Sequence, residues 1–157
     1  MIEPIHDPTT EDIARWHRTM GPLLFHRAWE LLDLAERSDA EDDELLAASF
    51  GQRFHWYQVG TELNKAIADW QVSRVAATLG DAELADRFGR HSLELCESHD
   101  LPPFYRGYAH EAIARAADVM DDLQTRDQHV LAARELLPLI DDEIARAMLD
   151  ADVQMIC

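Results

Sequence analysis

The sequence predicts an all-α protein, a solenoid-like bundle of about seven antiparallel helices in a single domain spanning residues 1–157. Three observations predict it. Apolar residues recur at three- and four-residue spacing along most of the chain, and no segment alternates with period two, so no sheet is expected. Helix boundaries are marked chemically: Ser38-Asp39, Gly60-Thr61 and Gly80-Asp81 each offer a stop or a cap. Finally, residues 69–95 align with 110–136 at a shift of 41, each segment reading as a helix, a short turn and a second helix. In that alignment Arg74 meets Arg115, Ala76 meets Ala117 and Asp81 meets Asp122. Stacked helical hairpins explain such a repeat, because one hairpin cannot bury its apolar face alone.

The elements follow in order. Residues 1–8 read as an extended lead with Pro4 and Pro8. Thr9 or Thr10 caps a first helix over 10–37, and Gly21-Pro22 is expected to kink or break it. A second helix covers 40–59, with Glu41, Asp42, Asp43 and Glu44 near its positive end. Two hairpins follow over about 61–98 and 103–140, and a terminal helix over 141–155. Pro138 should disturb the end of the sixth helix.

The helix 61–79 is the centre of the design. Leu63, Ala66, Ile67, Trp70 and Ala77 share one arc, and Ala68, Val72, Val75 and Leu79 form another. Lys65, Asp69, Ser73 and Ala76 are left to face water. A helix apolar over most of its circumference belongs inside. Arg74 points into the first arc.

Composition narrows the function. Nearly half of the 157 residues are hydrophobic, which argues against disorder. The net charge is −17, and Lys65 is the single lysine. Such a surface disfavours nucleic acid and anionic membrane and allows a basic partner or divalent cations. No apolar run approaches the roughly 18 residues of a membrane span, and the N-terminus lacks signal-peptide features. Cys96 and Cys157 make no disulfide framework, so the cytoplasm is the expected compartment.

Gly80 and Ala85 have the five-residue spacing of the turn and second-helix alanine of tetratricopeptide (TPR) repeats, with an aromatic, Phe88, near the usual place. The period of 41 differs from the usual ~34. More extensively, the chain resembles a family of uncharacterised bacterial TPR-like proteins. The resemblance is carried by His55-Trp56-x-x-Val59-Gly60-Thr61-x-x-Asn64, by Trp70-Gln71-x-Ser73-Arg74-Val75, and by Tyr108-Ala109-x-Glu111-Ala112-x-Ala114-Arg115-Ala116. It implies an all-helical TPR-like fold and supplies no reaction.

Candidate sites are few. His26/Glu30 and His91/Glu94 share helix faces, but no paired Glu-x-x-His or His-Glu-x-x-His set exists. No metal and no cofactor are expected. No Gly-x-Ser-x-Gly elbow or phosphate loop appears either, so no catalytic residue is assigned. The inward polar groups are more informative. His55, Asn64, Trp70, Arg74, Tyr108, Glu111 and Arg115 could line a groove that binds a peptide or a small anion. The competing reading is an ionic network that fixes how hairpins stack. Trp16, Trp29, Phe54, Trp56 and Trp70 read as core rather than as a ligand cage, and Trp16 and Trp29 are the candidates for a homodimer surface on the N-terminal helices. The leading expectation is a non-enzymatic module that binds a protein or peptide. The alternative is a small-ligand protein or enzyme using the Arg74–Glu111–Arg115 pocket.

Overall fold

The computed structural model describes residues 7–156. Most of the lead expected over 1–8, and Cys157, lie outside the described residues. Among the described residues seven α-helices follow one another: α1 (Thr10–Leu32), α2 (Asp39–Val59), α3 (Glu62–Thr78), α4 (Ala82–Ser98), α5 (Pro103–Val119), α6 (Leu123–Leu136) and α7 (Glu143–Gln154). A single 3₁₀ turn, Leu137–Leu139, separates the last two, because Pro138 cannot continue α6. Among the described residues there is no strand, and no helix is long and apolar enough to cross a membrane.

The caps act as their chemistry dictates. Thr9 with Asp12, Ser38 with Glu41, and Thr61 with Asn64 form reciprocal capping boxes at α1, α2 and α3. Asp81 and Asp122 cap α4 and α6 with nearly equal backbone angles, φ/ψ −87/82 and −85/80. The residue before each is left-handed: Gly80 at φ +81 and Asp121 at φ +56. The Asp81 amide reaches the Ala76 carbonyl and the Asp122 amide the Ala117 carbonyl, both at 2.9 Å. The 41-residue repeat is therefore a repeat of turn geometry as well as of sequence.

Two expectations for α1 are corrected. The helix runs unbroken through Gly21-Pro22 and ends at Leu32, not near Arg37. Gly21 is a contact residue: a Cβ there would stand 2.9 Å from the Trp56 indole of α2. Packing of the long α1–α2 hairpin outweighs the roughly 3 kcal/mol that an interior proline costs. Beyond Leu32 the chain turns, and Arg37 binds Asp42 of α2 at 2.7 Å.

Packing follows a regular rule. Each helix contacts the next in sequence, and α1, α3, α5 and α7 also form a continuous row, each touching the next odd-numbered helix. The even-numbered helices stand farther apart, and α2 reaches α4 through side chains alone, Phe50 meeting Phe88 at 5.5 Å between ring centroids and Arg53 lying 5.0 Å over the Phe88 ring. Helix α3 touches α1, α2, α4 and α5. This corrects the wheel reading: Asp69, Ser73 and Ala76, expected to face water, are fully buried. A helix with four neighbours has no free side.

The buried polar groups on α3 bond across helices, as burial requires. Asp69 accepts hydrogen bonds from Arg53 and the Tyr57 hydroxyl of α2. Burial raises the Asp69 pKa against the opposing pull of those two partners. Ser73 Oγ donates to the Ala85 carbonyl of α4 at 2.6 Å, and Gln71 Nε2 to the Phe25 carbonyl of α1 at 3.0 Å. Ser92 Oγ of α4 donates back to the Ala66 carbonyl at 2.8 Å. Small buried side chains along α3 and α5 (Ala66, Ala68, Ala76, Ala109, Ala112, Ala116) let these backbones come close.

Candidate functional site

The row of odd-numbered helices carries an apolar cavity of about 250 Å³. Phe25 and Trp29 come from α1, Ile67 and Trp70 from α3, Phe104, Tyr105 and Tyr108 from α5, and Met148 and Asp152 from α7; Ser92 of α4 and Ala66 close its floor. The rings form a chain. Trp29 faces Trp70 at 5.8 Å between centroids, and Trp70 meets Tyr108 edge-on at 5.3 Å and 71°. Phe25 meets Trp29 at 70°, and Phe104 meets Tyr108 at 75°. Edge-to-face packing is the preferred geometry for quadrupolar rings, so the walls hold one another in place.

A polar network supports this aromatic wall. Glu111, fully buried, accepts from the Trp70 indole Nε1 at 3.3 Å and from Arg115 Nε at 2.8 Å, with a second bond from the same guanidinium. Arg74 Nη1 stands 3.6 Å from Glu111, an ion pair without a hydrogen bond, and its guanidinium carbon lies 6.0 Å from the Trp29 ring centre. Arg74 keeps 21% of its side-chain surface, so it does not leave water completely. On the opposite wall the Tyr108 hydroxyl donates to Asp152 Oδ2 at 2.8 Å. Burial, then the adjacent Asp152 carboxylate, push the Tyr108 phenol far above its usual range, so it stays a donor.

Of the seven residues singled out from the sequence, five meet here: Trp70, Arg74, Tyr108, Glu111 and Arg115. The other two are elsewhere. Asn64 caps α3, its Oδ1 accepting from the Thr61 amide. His55 pairs with His17 of α1, the two Nδ1 atoms 2.7 Å apart, beside Trp16 and Phe54. Neither lines the cavity. Sequence reasoning missed Phe25, Met148 and Asp152. The last two belong to α7, outside the two aligned hairpins, and no local pattern ties a terminal helix to α5.

The tryptophans divide. Trp29 and Trp70 are half-buried and line the cavity, and Trp70 also packs against the core cluster of Tyr108 and Leu149. Trp16 and Phe54 stand half exposed rather than in the core. A second histidine pair, His110 and His129, joins α5 to α6 with Nδ1 atoms 2.8 Å apart. No group of three or more His, Cys, Asp or Glu side chains is placed to hold a metal ion among the described residues. Cys96 is buried, and burial pushes its thiol up to about 11, so it is a poor nucleophile.

The chain matches no family model, no curated protein and no solved structure.

Proposed function

We propose that the protein is a TPR-like helical module that binds a protein or peptide partner, with the aromatic cavity as the anchor site. The observation that carries this reading is the cavity itself, a ring-walled pocket assembled by all four odd-numbered helices on one face. Its volume of about 250 Å³ suits one bulky side chain and falls below the ~300–1,000 Å³ of common small-molecule sites. Buried aromatic anchors in pockets carry most of the energy of protein interfaces. The net charge of −17 favours basic residues around the anchor and speeds the encounter with them. The alternation of inner and outer helices, with a turn repeated at 41 residues, supports the TPR-like description. Glu111, held by Trp70 and two arginines, fixes the wall rather than meeting the partner, and a small-ligand site built on Arg, Glu and His is left without His55.

A peptide array probed with the wild-type chain and with Met148→Trp tests the reading. Met148 is half exposed at the cavity mouth, so an indole there blocks entry and spares the core. Peptides with a bulky side chain flanked by Lys or Arg should bind the wild type and lose at least about tenfold with the variant. Bound peptides indifferent to Met148→Trp would overturn the assignment of the cavity.

A further inference from the structure

The cavity's chemistry specifies the group it takes more narrowly than size does. Six aromatic residues, Phe25, Trp29, Trp70, Phe104, Tyr105 and Tyr108, contribute to its lining. From Phe25 through Trp29, Trp70 and Tyr108 to Phe104, successive rings stand at 70°, 36°, 71° and 75° to one another, so their planes turn repeatedly along the wall. Such walls enclose a rounded group and do not form a slot for a flat one. Ring faces carry negative quadrupole charge, which attracts a cation within about 6 Å. The one charged side chain of the lining is a carboxylate, Asp152. Arg74 and Arg115 are offset by Glu111 and Asp152, so the four charges sum to zero and leave no local positive excess, with Arg74 held 3.6 Å from Glu111 and 6.0 Å from the Trp29 ring centre. The −17 of the whole chain then sets the surrounding field.

Hydrogen-bonding capacity narrows the choice again. A primary ammonium has three donors to satisfy, and the lining offers few acceptors. Leaving such donors unpaired in an apolar site is costly. An alkylated ammonium has no such donors, presents methyl groups to the rings, and keeps its charge. We propose that the cavity recognises a methylated ammonium group, as borne by a trimethylated lysine side chain of a basic partner. This rests on the reading of the cavity as the partner site.

Calorimetric titration of the full chain with four short peptides, identical except at one residue, tests the proposal. The residue is trimethyl-lysine, its uncharged carbon isostere, lysine or leucine; free choline and 3,3-dimethylbutan-1-ol form a second matched pair. The trimethyl-lysine peptide should bind at least about tenfold more tightly than its isostere, and choline more tightly than the alcohol. Asp152→Asn should weaken the charged ligands several-fold more than the neutral ones. Choline binding as tightly as the peptide would support the chemistry and assign its source to a free small molecule. Binding of the carbon isostere or leucine peptide as tight as the charged one would overturn the inference while leaving the anchor-site reading intact. Equal affinities of all peptides for wild type and Met148→Trp would overturn both.

Discussion

The Trp70 indole donates to Glu111 across a separation of 41 residues, the same interval at which the hairpins repeat. Equivalent positions of consecutive repeats thus touch each other, one supplying the aromatic wall and the other the acid that orients it. The duplicated helix has been put to two uses. Trp70 faces the cavity, and its counterpart Glu111 holds the wall from behind.

Glu111 is accordingly expected to couple more strongly to Arg115 than to Arg74. Arg115 makes two hydrogen bonds to it, and Arg74 only a 3.6 Å ion pair. Both arginines keep 21% of their side-chain surface, so they recover some hydration when the acid is removed. Glu111→Ala should therefore cost about 1–3 kcal/mol, below the 3–5 typical of a fully buried pair. Urea unfolding of the single and double mutants measures this. A larger coupling for Arg74 than for Arg115 would contradict the geometry.

The two repeated turns make a matched pair of predictions. Gly80 and Asp121 both have positive φ, and nothing stands within 4 Å of a Cβ built on Gly80. Gly80→Ala should lose about 1 kcal/mol through backbone conformation alone. Asp121→Gly should gain a few tenths to about 1 kcal/mol. Thermal unfolding of both variants checks the opposite signs.

Much of this fold was legible because its signals are local. Ser38, Thr61 and Asp81 cap helices whose starts their side chains predict, and the repeat emerged from aligned residues such as Ala76 and Ala117. What failed depends on neighbours. Gly21-Pro22 reads as a break until Trp56 is laid over Gly21. Asp69 and Ser73 read as solvated until α2 and α4 supply partners. At the site, the inward arc revealed Trp70, Glu111 and Arg115, whereas the Tyr108–Asp152 bond joins residues 44 apart and follows no repeat.

Acid should weaken the fold from about pH 6.5 downward through its histidines, with the raised Asp69 carboxyl acting in the opposite sense. Burial, reinforced by His129, lowers the His110 pKa from about 6.5 to about 4, and burial also lowers those of His129 and His55. The folded chain therefore binds fewer protons than the unfolded one over that window. Through His110, stability declines from about pH 6.5 toward pH 4 by at most about 1.4 kcal/mol per pH unit, and His129 and His55 act in the same direction. Capping acids such as Glu41 and Asp122 have lowered pKa values, so their contributions are lost only at more acid pH. His110→Gln should flatten the decline of melting temperature between pH 6.5 and 4.5; an unchanged slope would count against a neutral, half-buried pair.

Self-association, if present, should run through the N-terminal hairpin. Ile13, Trp16, Leu23 and Phe54 are exposed on α1 and α2. We expect a concentration-dependent dimer in sedimentation equilibrium, dispersed by Trp16→Glu. A monomer at high micromolar concentration, or a dimer insensitive to that change, would contradict it.

The four tryptophans allow the most direct test of the central claim, that the cavity is the binding site. Trp29 and Trp70 line it; Trp16 lies beside the His17–His55 pair, and Trp56 packs over Gly21. Each indole N–H gives a separate ¹H–¹⁵N resonance, assignable by single Trp→Phe changes. On titration with the tightest peptide from the array, the Trp29 and Trp70 resonances should shift while those of Trp16 and Trp56 stay in place. Shifts confined to Trp16, with Trp29 and Trp70 unmoved at saturation, would contradict the account.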